Sequence, residues 1–290
     1  MGIHWSAPTR WACSPRKALP CFSTQKLAAS KYKEMDRQLK GQEQGLNDMS
    51  VQEYLGARTG ALQMIKMLDE DFEYFYEKKG FGPAVDAQPV PKSKLENYRG
   101  KVPDRLLEYW QAYGFAGYGG GLFWMTDPDD YSEVLNAWLY ATEFYGTDNY
   151  YVIGRSAFGD LTLWGTKTGP SLTIDCPWAM IFPDDNAAWM SEGKGDLLIS
   201  TWLSGMQADG LDQTDERDVP LFDRAEKLLG PLAHDEMYGF VPALALGGSC
   251  RLDHLKKVKA VEHLMLLAQL GERRIMVDIV KEAKDRGLWK

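Results

Sequence analysis

Apolar and polar positions along this chain follow two rhythms. From 50 to 79, Leu62, Ile65, Met67 and Leu68, then Phe72, Phe75 and Tyr76, recur at three- and four-residue steps. That spacing lines one side of a helix, and Gly80 and Gly82-Pro83 end it. Pro83, Pro89 and Pro91 predict an extended connection over 83–94. Tyr98-Arg99-Gly100 reads as a turn. Pro103 stands where a helix starts, ahead of Leu106, Leu107, Tyr109 and Trp110, and Gly114 closes that helix. The glycine-rich run 117–121 predicts a flexible loop leading into a short strand at Leu122-Phe123-Trp124. Asp127-Pro128-Asp129-Asp130 predicts a turn and the cap of a helix over 130–145.

The rhythm then changes to alternation. Four strands are expected, at 150–154, 161–164, 171–174 and 179–182, with a turn at Phe158-Gly159-Asp160. A helix is expected over 196–206, and an acidic linker or loop over 207–220. A second helix is expected over 221–229, ended by Gly230-Pro231. Tyr238 to Leu246 is β-like, 252–270 holds two amphipathic stretches, and a last helix is expected from 272 to 286. Helices and strands are interspersed along the chain. The division expected is an extension over 1–48, a first domain over 49–205 and a second over 206–290.

Charge changes the picture of the two ends. The 290 residues include 33 Lys or Arg and 41 Asp or Glu, for a formal net charge of −8. Residues 1–48 carry eight basic residues and four acids, so the remainder has 25 basic and 37 acidic residues and a formal charge of −12. The apolar residues of 1–48 show no sustained period, so this stretch is expected to order poorly. It reads either as a transit peptide or as an upstream extension, and Met49 opens a plausible shorter protein; the second reading is preferred. An acidic chain is repelled by phosphate backbones, which argues against direct nucleic-acid binding, but it suits a basic protein partner. Cys13, Cys21, Cys176 and Cys250 are scattered, with no C-x-x-C pair. That spacing fits a reducing compartment better than a disulfide scaffold. No run of apolar residues is long enough to span a membrane.

Candidate chemistry is sparse. There is no G-x-S-x-G and no H-E-x-x-H. The glycine run lacks the lysine of a phosphate loop and leads into a strand, so no helix N-terminus faces an anion there. Asp127 to Asp130 lacks the Gly and Glu that an EF-hand needs at its sixth and twelfth positions. His234-Asp235-Glu236 offers acids without a convincing catalytic partner. No cofactor and no metal are implied. The aromatics crowded between Trp110 and Trp138 are the remaining signal. Trp110, Phe123, Trp124 and Trp138 read as core, while Tyr118 and Tyr131 are open.

Two long stretches resemble a known family. The run from Tyr98 to Phe115 (YRGKVPDRLLEYWQAYGF), then Gly121 to Trp124, Asp127 to Tyr131 and Val134 to Leu139, is similar to the GAD-like domain. The run from Leu229 to Gly248 (LGPLAHDEMYGFVPALALGG), followed by Val258 and Glu262 to Leu270, is similar to the C-terminal domain of immunity proteins against type VI secretion DNase effectors. The resemblance spans residues 69–285. It implies an α+β fold, a SUKH-like mixture of helices and antiparallel sheet, in a bacterial, cytoplasmic, non-enzymatic protein. Such a protein binds one cognate nuclease toxin, one to one, and occludes its active or DNA-binding surface. A nuclease presents a basic face, to which an acidic inhibitor is steered. Tyr118, Asp127, Asp129, Asp130, Tyr131, Asp235, Glu236 and Tyr238 are the candidate contacts. Two other readings compete: a general interaction module without a toxin, and a hydrolase using His234 with Asp235 or Glu236.

Overall fold

The computed structural model describes residues 69–276, within a compact unit spanning Leu68–Lys290. The front segment 1–48, the start at Met49, the helix expected over 50–68 and the end of the helix expected to 286 lie outside the described residues.

The first described helix, α1 (Glu70–Glu73), is capped by Asp69, whose carboxylate accepts the Phe72 N–H at 2.7 Å. Three acids in its first turn suit the positive end of the helix. It widens into a π-helical turn over Tyr74–Lys78. An edge strand, β1 (Val85–Gln88), and a short helix, α2 (Lys92–Tyr98), then occupy the region expected to be a plain connection. The helix buries Leu95 and Tyr98 alone, too few apolar positions to set a readable period. Helix α3 (Asp104–Tyr113) follows Pro103 as expected. Gly114 ends it at φ 74°, and a Cβ there would stand 2.3 Å from the Gln88 carbonyl oxygen. Only glycine lets the chain leave α3 so close to β1.

The glycine-rich run is less of a loop than its composition predicts. Phe115–Tyr118 forms β2, all four residues buried, and only Gly119–Gly121 forms a tight turn before β3 (Phe123–Met125). Helix α4 (Ser132–Leu139) is shorter than the expected 130–145, and turns follow it. Asp127 does not cap it; its carboxylate accepts the Asp129 N–H instead. Four strands follow where alternation predicts them: β4 (Tyr150–Ser156), β5 (Asp160–Gly165), β6 (Gly169–Asp175) and β7 (Met180–Pro183).

These strands join an eight-stranded sheet in the order β1-β2-β3-β4-β5-β6-β7-β10, antiparallel except at its last pair. That last strand, β10 (Arg274–Ile275), lies where a helix is expected from 272. The free carbonyls of Ala179 and Ile181 accept the N–H groups of Arg274 and Met276, so the open edge of β7 overrides local helix preference. The C-terminal third also supplies α5 (Ala187–Ser191), α6 (Gly195–Gly205), α7 (Ala208–Leu211) and α8 (Phe222–Leu229). A two-stranded sheet of β8 (Glu236–Phe240) and β9 (Leu255–Lys259) leads into α9 (Ala260–Leu270). Of the two amphipathic stretches in 252–270, the first is therefore a strand and the second a helix. Asp212 caps α8 from a distance, accepting the N–H groups of Leu221 and Phe222.

Side chains alternate across the sheet and divide the core. Ile153 and Trp164 join Phe72, Trp110, Ile199 and Leu203 under α1, α3 and α6. Val152, Leu163 and Ile174 join Trp138 and Leu264 under α4 and α9. A third cluster, with Trp124, Phe158, Phe222, Tyr238 and Leu255, seats α8 and the small sheet. The α+β class is therefore as expected, and Trp110, Phe123, Trp124 and Trp138 are core residues.

Asp160 and Asp175 face each other across β5 and β6. Burial, then repulsion from Asp160, pushes the Asp175 carboxyl up to about 8. The native state thus holds a proton that the unfolded chain releases above about 4. Stability contributed by this group falls as pH rises from about 4 towards about 8 and stays low above that. In urea melts, Asp175→Asn is expected to be more stable than wild type at pH about 8, with the difference shrinking towards pH about 4. A difference independent of pH would refute the raised Asp175 carboxyl.

Candidate functional site

Strand β4 places Arg155 in the interior, with none of its surface exposed. Burying a guanidinium costs several kcal/mol unless its donors find acceptors. Nε donates to Tyr131 Oη at 2.9 Å and Nη1 to the Ser156 carbonyl at 3.0 Å. Nη2 donates to the carbonyls of Glu236 at 2.9 Å and His234 at 3.3 Å. The guanidinium carbon also lies 5.8 Å from the centroid of the Trp124 ring, in cation–π range. All four acceptors are neutral, so Arg155 acts as a clamp rather than as half of an ion pair.

The clamp joins segments that are remote in sequence. Tyr131 closes the Asp127–Asp130 turn, while His234 lies in the turn before β8 and Glu236 opens that strand. The two groups of candidate contacts therefore sit over one buried cation. Asp86 on β1 joins them from a third direction: its carboxylate accepts the His234 N–H at 2.7 Å and lies 3.0 Å from His234 Nδ1. The backbone N–H of His234 is the main reason that the Asp86 carboxyl is held below its usual range.

The three candidate tyrosines lie beneath this surface. Tyr118 is buried among Phe72, Phe75, Tyr76 and Phe123. Tyr131 is buried on Arg155, and buried Tyr238 donates its hydroxyl to the Gly230 carbonyl at 2.8 Å. Their rings pack inside the fold, because a large ring gains most from full burial once its hydroxyl has an acceptor.

The acids stand at the surface in different states. Lys94 pairs with Asp127 and, at 3.0 Å, with Asp129, which also accepts the Tyr98 hydroxyl. The Tyr98 hydrogen bond, with Lys94 behind it, lowers the Asp129 carboxyl. Asp235 pairs with Lys259, which lowers it. Glu236 lies 3.1 Å from Lys257; burial pushes its carboxyl up, but the Ala233 N–H and Lys257 outweigh that and hold it low. Asp130 differs. It enters no ion pair among the described residues, and its carboxyl is raised by burial and by repulsion from Asp127 and Asp129, which outweigh the pull of Lys94. The charge of His234 acts on it in the opposite sense, so the two turns share one electrostatic neighbourhood.

Chemically, this arrangement offers charge and shape. Among the described residues, the hydrogen-bonding contacts of the His234 ring are Asp86 and Gln88, and no group of three or more His, Cys, Asp or Glu is placed to hold a metal ion. Sequence reasoning missed Arg155, Asp86 and Lys94. A lone arginine inside the strand YYVIGRS was the available signal, since a charge in a core strand must be matched internally.

A GAD-like domain model matches residues 70–178. A model for the T6SS immunity protein Tdi1, C-terminal, matches residues 199–271. No curated protein matches the chain significantly. Among solved structures, the chain is similar to the crystal structure of Atu4351 from Agrobacterium tumefaciens, with 20% identity and a TM-score of 0.59. That match covers 67% of this chain and 88% of the other, and it is a likeness of fold. Arg155 on β4 and its acceptors on His234 and Glu236 fall in the two different matched regions.

Replacing Arg155 by Met is expected to leave several buried acceptors without donors. At about 1–3 kcal/mol for each stranded group, a loss of about 3 kcal/mol or more is expected in urea unfolding. Arg155→Lys, which keeps the charge but not the fork, is expected to fall between. Hydrogen exchange at 233–238 should accelerate more than at β5 and β6; equal acceleration would argue against a local clamp.

Proposed function

The chain belongs to the type VI secretion immunity family in which a GAD-like domain precedes the Tdi1 C-terminal domain, and we propose that it neutralises a cognate nuclease toxin by covering that toxin's active or DNA-binding surface. The toxin's basic, phosphate-binding face docks on the acids gathered over Arg155: Asp86, Asp127, Asp129, Asp130, Asp235 and Glu236. The observation that carries this reading is the state of Asp130, a carboxylate crowded by two others and without an ion pair among the described residues. A lysine or arginine from a partner relieves that repulsion, whereas another acid or a phosphate increases it. The neighbouring acids, already paired with Lys94, Lys257 and Lys259, contribute less, because their charges are largely compensated in place.

In this reading the protein is a one-to-one inhibitor that acts in the cytoplasm, where the DNA is, and it performs no chemistry of its own. The division into modules near residue 206 is part of the same proposal. Tyr118, Tyr131 and Tyr238 serve it as supports beneath the docking face.

The test is direct. Purified protein is expected to protect plasmid DNA from the nuclease encoded beside its own gene. Asp130→Lys together with Asp235→Lys is expected to slow association about tenfold or more, and the wild-type association rate should fall with added salt. A neighbouring nuclease that stays fully active on plasmid DNA in the presence of the protein would sink the proposal.

A further inference from the structure

His234 stands inside the acidic face over Arg155 but is not one of its acids. Its side chain is half-exposed, and its carbonyl accepts Arg155 Nη2 at 3.3 Å. Two side chains of β1 meet the ring, both at Nδ1: Asp86 Oδ2 at 3.0 Å and Gln88 Nε2 at 3.4 Å. Gln88 Nε2 also donates to the Asp86 carbonyl and to Asp86 Oδ1, both at 3.2 Å, which steadies the carboxylate. An ionised carboxylate only accepts, so in the neutral ring Nδ1 carries the proton. Nε2 is left without a hydrogen-bonding contact among the described residues.

Nε2 is therefore where this ring changes charge. Neutral, it is an acceptor; protonated, it is a donor on a full cation. The fold sets the charges around it. Asp86 faces the ring from β1, and Asp130 acts on it from the turn before α4, where Lys94 also acts on Asp130. Asp235 follows it in sequence and pairs with Lys259 of β9, while Glu236 is engaged by Lys257 and the Ala233 N–H. Arg155 lies beneath, bonded to the His234 backbone.

The charge of His234 helps to hold three of these carboxylates ionised, Asp86, Asp130 and Asp235. A lysine or arginine brought by a partner acts on the same groups in the same sense. Two cations at one cluster of acids repel each other, so each weakens the hold of the other.

We propose that His234 gates the acidic face by its charge: the neutral ring leaves Asp86, Asp130 and Asp235 to a basic partner, and the protonated ring is a resident cation that competes for them. The inference rests on the toxin reading for the identity of that partner, and on the geometry of the face for the competition. The sign follows from linkage. Binding a basic partner expels the His234 proton, so affinity falls as pH drops through the range in which imidazoles titrate, about 8 to 5.

Two measurements test it. In the full chain, the His234 ring is titrated by NMR, alone and with the blocked peptide acetyl-Lys-Lys-Lys-amide as a basic probe. The peptide is expected to lower the midpoint of the His234 titration, and Asp130→Asn is expected to lower it without peptide. A midpoint unmoved in both cases would overturn the competition, whatever the toxin does. Binding to the nuclease encoded beside the gene is then measured at pH about 8 and pH about 6 for wild type and for His234→Asn, whose amide can keep the bond to Asp86. Wild type is expected to lose about fivefold or more affinity between these pH values beyond any loss in the variant, and to bind more weakly than the variant at the lower one. The same pH dependence in both proteins, or a variant weakened by one factor at both pH values, would overturn the gate and mark the ring as structural. No nuclease binding at either pH, with a midpoint that moves with the peptide, would overturn the toxin reading and leave the competition standing.

Discussion

A guanidinium taken out of water must be matched donor by donor, and in this protein the matching of Arg155 dictates how distant parts of the chain meet. Its acceptors are a tyrosine hydroxyl at the end of one turn, a carbonyl of its own strand and, some eighty residues later, the carbonyls of His234 in a turn and of Glu236 at the start of β8. Moving any of them strands a buried polar group, which costs more than the net gain of an average hydrogen bond. The clamp is thus specific in a way that the surrounding apolar contacts are not. Val, Leu and Phe side chains tolerate small slips, but a forked donor set does not.

That clamp also explains why the two regions matched by separate family models behave as one compact unit. The small sheet of β8 and β9 is joined to the end of β4 by the bond from Arg155 to the Glu236 carbonyl and by the Tyr238 N–H, which donates to the carbonyl of Ala157 just beyond that strand. Apolar packing of Tyr238 and Phe240 on Phe158 adds area. Arg155 adds register, fixing the turn at His234 over the turn at Asp127. The acids of both turns then face the same water, and the crowding felt by Asp130 is a consequence of that register.

The overall charge of the chain is a poor guide to its surface. Most acids of the candidate face are paired with lysines from other elements, so the uncompensated charge is concentrated on few groups. A cleft lined by Arg217, Arg224, Arg251, Asp215, Glu216 and Asp253 is the reverse case. It lies at a strongly acidic stretch of sequence that itself carries Arg217, yet folding brings two further arginines to it, Arg224 and Arg251, and leaves its lining neutral. Local composition does not fix local potential when the compensating charges arrive from α8 and from the turn before β9.

By itself the sequence determined the class and much of the element order. Strands β4 to β7 were legible because alternation of period two and glycine-marked turns are local properties. Helices α3, α6 and α8 were legible from their apolar steps and their Pro or Gly ends. The family resemblance was legible for the same reason, being carried by contiguous runs. Tertiary structure decided the rest. Helix α2 is too short to show a period, β9 carries lysines on an edge, and β10 exists because β7 offers unsatisfied carbonyls. It decided the site as well. Tyr118, Tyr131 and Tyr238 are candidate contacts whose burial the sequence leaves open, and all three are buried, since a sequence does not say which aromatic ring finds a core to fill. Arg155 and Asp86, unremarkable as letters, became central only when β4, β1 and the His234 turn met, because the matching of a buried charge is a property of three-dimensional neighbours and not of sequence neighbours.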